Sequence, residues 1–223
     1  MLEVRNQNLF WKSEPLVIIG ERAFWSEFRY REGTEIFAES ETAGYVYQIL
    51  SGAVRTFKLL PDGRRQIGAF YFSGDIFGIE EGEVHRFTAE AVVDTKVLIA
   101  KRARVFEESE ESPTGARELL KLVARSLQHA ENHLLLLGRQ TSIERVAAFL
   151  IEMDRRLQSP TELILPMTRR DIADYLGLTI ESISRALSIF RRDGLLSFRG
   201  YAHRHIVLHY RTRLAQLANS SRS

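Results

Sequence analysis

The chain of 223 residues contains no cysteine. That absence excludes disulfides, thiolate zinc sites, iron–sulfur clusters and thiol redox switches. No apolar run approaches the roughly 20 residues that a membrane-spanning helix needs. The opening stretch MLEVRNQNLFWKSEPLVIIG is interrupted by charges and lacks the apolar core of a secretory signal, so a cytoplasmic location is expected. Internal repeats and low-complexity tracts are also missing. Lysine disappears from the C-terminal part. From Arg139 onward there are 14 Arg, no Lys and 8 acidic residues, whereas the first 138 residues carry 17 basic and 21 acidic ones. A basic segment behind an acidic one points to an anionic partner for the former.

With 44% hydrophobic and 27% charged residues, the composition is that of a globular protein of one large or two modest domains. Residues 24–100 read as short strands divided by Gly33, Gly44, Gly52, Gly63, Gly68, Gly74, Gly78 and Gly82. YVYQIL, AVRTFKLL, RQIGAFYF and KVLIA are rich in aromatic and β-branched residues. PDGRR, Pro61 to Arg65, is a hairpin turn, because Pro presets φ and Asp-Gly accepts a positive φ. Such spacing predicts an antiparallel barrel or jelly roll. A cupin-type metal enzyme would need several barrel His, and this segment has only His85.

The pattern then becomes helical. Leu120, Val123, Leu127, Ala130, Leu134 and Leu137 recur at alternating spacings of three and four, the stripe of a helix that pairs with another helix. Pro113 suits its start, and Gly138 lies where the chain would hinge. A buried helix packed on its own barrel would carry a similar stripe. His129 and His133 are four apart, a spacing that can hold a metal, but they lie off the stripe and are expected to face solvent. A second helix, TSIERVAAFLIEMDRRL, is capped by Thr141 or Ser142 and buries Ile143, Val146, Ala147, Leu150 and Met153. QSPTE breaks it and LILP forms a short strand.

MTRRDIADYLGLTIESISRAL, Met167 to Leu187, then repeats one local device twice. Thr168 caps a helix, Asp171 closes a capping-box-like pair, and Met167 staples to Ile172. Thr179 caps the next helix, with Leu178 stapled to Ile183. Gly177 supplies the positive φ of the tight turn between them. Ala173 permits a close crossing over a core of Ile172, Leu176, Leu178, Ile183, Leu187 and Phe190. The remaining face of the second helix carries Ile180, Glu181, Ser184, Arg185 and Ser188, a mixture that core packing does not require.

That mixture suits the major groove of DNA. Arg185 can donate two parallel bonds to guanine, and Glu181 can accept from a cytosine amino group. Ser184 is short enough to approach a base edge. Thr168, Arg169, Arg170 and Thr179 at the helix starts, with Arg199 and Arg204 in the next hairpin, are placed for phosphate contacts. GLLSFRGYAHRHIVLHY reads as that hairpin, a wing turning around Arg199, Gly200 and Tyr201. Its His203 and His205 fit phosphate proximity or plain exposure better than metal binding.

A Gly-punctuated β-roll, a long dimer helix and a winged helix-turn-helix together resemble the CRP/FNR transcription regulators over most of the chain. Glu181-x-x-Ser184-Arg185 resembles the FNR branch. SGAVRTFKLLPDGRRQIGAFYFSGDIFGIE, RQTSIERVAAFLIEM and LPMTRRDIADYLGLTIESISRAL resemble the FixK group. The resemblance implies an α+β fold in three parts: a jelly-roll-like antiparallel β-roll over 1–112, a dimerisation helix over 113–138 and a winged helix-turn-helix over 139–223. It further implies a homodimer that activates transcription with RNA polymerase, reading a TTGA…TCAA palindrome. In that reading Glu181 and Arg185 address the G·C pair, Ser184 a neighbouring thymine and Ile180 a thymine methyl. Low-oxygen or nitrogen-related metabolism is the implied setting.

Cyclic AMP binding in the family needs a Gly-Glu pair and an Arg followed by a hydroxyl residue. Here FGIEEGEVHRFTAEA displaces the pair to Gly82-Glu83, follows Arg86 with Phe87, and adds Glu80 and Glu81, which would repel a phosphate. The missing cysteines exclude the iron–sulfur cluster of the FNR branch. A haem gas sensor with His85 as axial ligand is the alternative. The expectation is a regulator with no cofactor, metal or membrane partner, competent to bind DNA whenever it is present.

Overall fold

The computed structural model describes residues 25–139, 141–158, 161–200 and 204–219. The N-terminal strands are β1 (Ser26–Tyr30), β2 (Glu35–Phe37), β3 (Tyr45–Ser51), β4 (Ala53–Leu59), β5 (Arg65–Phe72), β6 (Ile76–Phe77), β7 (Thr88–Ala91) and β8 (Thr95–Lys101). They pair antiparallel in two sheets, ordered β1-β8-β3-β6 and β2-β7-β4-β5. Phe37, Tyr47, Ile49, Val54, Phe77, Ala89 and Val97 fill the space between the sheets. The expected β-roll is therefore present.

The β4–β5 hairpin carries side chains that bond to the C-terminal part of the chain. Gly63 takes φ +81°, and its N–H donates to the Leu60 carbonyl at 2.9 Å, closing the Pro61-Asp62 turn. Further along, Thr56 pairs with Ala69 but Phe57 with Ile67, so Gly68 is an extra residue, a β-bulge. The bulge shifts the buried side of β5 from Ile67 to Phe70 and Phe72. A Cβ on Gly68 would lie 3.0 Å from the Phe87 ring, which favours glycine at the bulge.

Two helices come next: α1 (Arg102–Glu111) and α2 (Pro113–Leu137). The first was not expected. Its RARVFEESEE buries Val105 as its one apolar anchor, too little for a periodic signal. Ser112 caps α2 by accepting from Gly115 N–H, with Pro113 in the first turn as expected. Along α2, Leu120, Val123, Leu127, Leu134 and Leu135 are exposed, Leu134 by 71%. Ala130, on the same stripe, is exposed as well. Leu137 departs from the expected stripe: it is half-buried, pointing toward Gly177. Leu136, off the stripe, is buried instead.

The C-terminal part comprises α3 (Ser142–Leu157), β9 (Leu163–Ile164), α4 (Arg169–Leu176), α5 (Ile180–Arg192), β10 (Leu196–Arg199), β11 (His205–Leu208) and α6 (Arg211–Ala218). Thr141 caps α3 with Glu144 in a full capping box. β10, β11 and β9 make a small antiparallel sheet, the wing. The tip residues Tyr201 and His203 lie outside the described residues, as does the segment 1–24. Sequence periodicity did not reveal α6. It packs on α3 through Leu214 and Ala218, and Arg211 grips Asp154 with two bonds of 2.7 and 3.0 Å. Leu214, Leu217 and Ala218, spaced three and four apart from the first, were the available signal.

One hydrophobic core joins the two halves. It runs from Ile67, Phe70 and Phe72 of β5, through Leu136, into Phe149, Leu176 and Phe190 of the helical part. Among the described residues, no helix is long and apolar enough to cross a membrane.

Candidate nucleic-acid interface

The two short helices are built as their sequence dictates. Thr168 Oγ1 accepts from Asp171 N–H at 3.2 Å, and the Asp171 carboxylate accepts from Thr168 N–H at 3.0 Å. Gly177 ends α4 at φ +61° and ψ 40°, its N–H donating to the Ala173 carbonyl. Leu178 N–H donates to the same carbonyl at 3.0 Å, so the turn is closed twice. Thr179 caps α5 by accepting from Ser182 N–H at 3.2 Å.

On α5 the two faces separate cleanly. Ile183, Ala186, Leu187 and Phe190 are buried. Glu181, Arg185 and Ser188 are exposed on the other side, with Ser184 half-buried between them. Ile180 is also half-buried and leans on the core. The Glu181 carboxyl is held below the usual carboxylate range, first by its own backbone N–H, then by the Thr179 side chain and nearby Arg170. It is thus an acceptor at the positive end of the helix.

Arg169 Nη1 donates to Ser184 Oγ at 3.2 Å, and its guanidinium sits 5.9 Å from the Phe198 ring centre in the wing. A hydroxyl oxygen that accepts from a cation keeps its own proton for another partner. Arg170 is exposed beside α5. Arg199 is exposed, 3.7 Å from Glu162. Arg204 is half-buried. With Arg169 it lines a groove of about 450 Å³ floored by Leu165, Met167, Ile172 and Leu187. Thr168 differs from the expected phosphate donor, since its N–H and its hydroxyl, at 3.0 and 2.8 Å, are both taken by Asp171. It serves here as a cap.

The families that match are a Crp-like helix-turn-helix domain over residues 144–217 and a Cyclic nucleotide-binding domain over residues 27–111. The chain is 43% identical to the nitrogen fixation regulation protein FixK of Rhizobium meliloti, covering 76% of this chain and 77% of that protein. It is also 43% identical to FixK of Azorhizobium caulinodans, over 84% of this chain and 77% of the relative. The chain belongs to the CRP/FNR family of transcription regulators. The structure of FixK2 from Bradyrhizobium japonicum superimposes on this CRP/FNR chain with a TM-score of 0.84 and 52% identity, covering 89% of this chain and 99% of that one. It is therefore a FixK-like DNA-binding transcription regulator and not an enzyme.

In this CRP/FNR chain the roll has the family's fold but a filled interior. The rings of Phe37, Tyr47, Tyr71 and Phe77 lie 5.0–6.1 Å apart at its centre. Gly82, Glu83 and Arg86, which the sequence sets against the family's phosphate cassette, are exposed. Arg102 pins that segment from outside, donating to the carbonyls of Glu80 and Gly82 at 2.9 and 2.6 Å. His85 is 2% exposed, stacked on Phe37 at 3.5 Å and 10°, with Nδ1 3.6 Å from Glu80.

The expectation of solvent-facing His133 is corrected. His133 stacks on Tyr175 of α4 at 4.0 Å and 1°. Its Nε2–H donates to the Tyr175 carbonyl at 2.8 Å, which fixes the tautomer. The residue fastens α2 to α4. No group of three His, Cys, Asp or Glu that could hold a metal occurs among the described residues.

Burial lowers the pKa of His85, His129 and His133 from the ordinary 6.5. The unfolded chain thus takes up protons first as pH falls, and stability is lost below about pH 6.5. Thermal melts at pH 7.5 and 5.5 should show a lower Tm in acid. His133→Phe, which keeps the stack, should narrow that difference; an unchanged gap would mean that His133 carries none of it.

Proposed function

We propose that the chain is a homodimeric activator that reads a TTGA…TCAA-type palindrome through α5 and recruits RNA polymerase. The observation that carries this is the Glu181–Ser184–Arg185 face, rigidly backed by Ile183, Leu187 and Phe190. Arg185 addresses guanine and Glu181 its paired cytosine. Ser184, accepting from Arg169, turns its proton outward and so selects a base acceptor such as thymine O4. Ile180 offers an apolar edge to a thymine methyl, and Ser188 lies at the far end of the face. Arg169, Arg170, Thr179, Arg199 and Arg204 address phosphates, with Thr168 acting through its cap.

Dimerisation uses the exposed leucines of α2, joined by Val123 and Ala130. The parts are a roll over 1–112, the dimer helix over 113–138 and the DNA-reading unit over 139–223, with α1 closing the roll. Similarity to nitrogen fixation regulation proteins supports a role in nitrogen-related, low-oxygen metabolism in the cytoplasm. The aromatic filling of the roll supports control without cyclic nucleotide or haem.

A gel shift on the palindrome against a scrambled duplex, over a salt series, tests the reading. Arg185→Ala should cost about 1–3 kcal/mol and relax the preference at the guanine. Arg199→Ala should weaken binding to every sequence alike. Equal affinity of the native protein for both duplexes would sink the proposal.

A further inference from the structure

Two arginines of the β4–β5 hairpin reach across to α4, the first helix of the DNA-reading pair. Arg65 donates from Nε to Asp174 at 2.8 Å and from Nη2 to Asp171 at 2.6 Å. Arg55 donates from Nη1 to Asp171 at 3.0 Å, and its Nη2 is held by Glu90 of β7. Asp171 is 2% exposed. Burial alone would raise its carboxyl, but the bonds from Thr168 and the charges of Arg55 and Arg65 outweigh this and hold it low. One oxygen therefore faces the roll while the other caps α4. Phe57 lies under the Arg65 guanidinium, 5.6 Å from ring centre to Cζ. Beside this cluster, Gln66 Nε2 donates to the Tyr175 carbonyl at 3.4 Å.

A second fastening lies on α3, where Arg156 donates to Asp75 and to the Phe70 carbonyl, both at 2.8 Å, above the Phe72 ring. The roll in turn is tied to α2, since Val105 of α1 packs with Leu122. A mechanical path thus runs from α2 through the roll and the Arg–Asp cluster to α4, and through their shared core to α5.

We propose that Arg65 and Arg55 are positioning residues that fix the angle of α5 relative to the dimer helix, and so set which half-site spacing the protein accepts. This rests on the reading of a dimer on a palindrome. Two recognition helices held rigidly apart match half-sites at one separation, about one helical turn. Released from the roll, each unit swivels on the α2–α3 connection and tolerates a wrong separation. Discrimination between spacings would then reside in residues that never touch DNA, whereas base preference stays with Glu181 and Arg185. The cluster is nearly buried, so salt screens it less than the phosphate contacts.

Fluorescence anisotropy on the full-length dimer tests this, using palindromes with the native spacer and with one base pair added or removed. The native protein should prefer the native spacer. Arg65→Glu and Asp174→Arg should each reduce that preference about tenfold, the scale of a coupling between distant sites. The double exchange should restore part of it, because the bond to position 174 re-forms with its charges reversed while the new carboxylate still faces Asp171. The penalty for changing the G·C pair within a half-site should stay constant throughout. Arg65→Gln serves as a milder variant if Arg65→Glu does not fold. Full spacer preference in a folded Arg65→Glu or Arg65→Gln protein overturns the proposal. So does a double exchange whose spacer preference is no higher than that of the Arg65→Glu protein. No preference of the native protein for palindrome over scrambled duplex overturns the dimeric reading, and this proposal with it.

Discussion

Leu127→Glu combined with Leu134→Glu will leave a folded monomer with little affinity for the palindrome. Both side chains are largely exposed on α2, at 58% and 71%, and contribute little to the fold of a single chain. In the pair each is worth roughly 1.5–3 kcal/mol of apolar burial, and two chains contribute two each. Introduced carboxylates would also face one another across the two-fold axis. Losing the pair removes the linkage of two half-site contacts, so affinity should fall on the order of 10² to 10⁴-fold. Light scattering reports the mass and circular dichroism the retained helix. A double variant that still runs as a dimer would show that another surface joins the chains.

Phe190→Ala should be the most damaging single truncation in the DNA-reading unit. The ring is fully buried on the inner face of α5, within the core that also holds Phe149, Met153 and Leu176. Emptying such a site costs about 3–5 kcal/mol, a large part of the roughly 5–15 kcal/mol that holds a domain folded. Urea melts should show the loss directly, together with loss of DNA binding. Arg185→Ala, on the outer face of the same helix, should leave the melt within about 0.5 kcal/mol. The two substitutions therefore separate the helix's scaffold from its reading surface. Equal melts for both would contradict the burial of Phe190.

The parts of this molecule that were legible in sequence are those governed by neighbours along the chain. Caps at Thr141, Thr168 and Thr179, the turn at Gly177 and the hairpin at Pro61–Gly63 are each fixed within a few residues, and all form as expected. Strands punctuated by glycine and the exposed leucines of α2 follow from periodicity in the same way. What was missed depends on distance. Asp171 was read only as a cap, because its second partners, Arg55 and Arg65, lie 116 and 106 positions away. His133 lay off the apolar stripe and so looked solvent-facing; its place was decided by Tyr175, 42 positions on. Helix α1 has too few apolar residues to announce itself, and it forms where Val105 meets the roll. The candidate site divides along the same line. Its reading face was visible in one short segment, whereas the groups that aim that face come from strands that precede it by a hundred residues or more.

The exposed α2 stripe also bears on how the cell would hear this regulator. On the proposed pairing through α2, the amount of dimer grows with the square of the total by mass action when most chains are unpaired. Doubling synthesis then yields about four times as much of the DNA-reading species, and halving it leaves a quarter. Expression level itself becomes a sharpened input, and dilution by growth becomes an equally sharp off-signal.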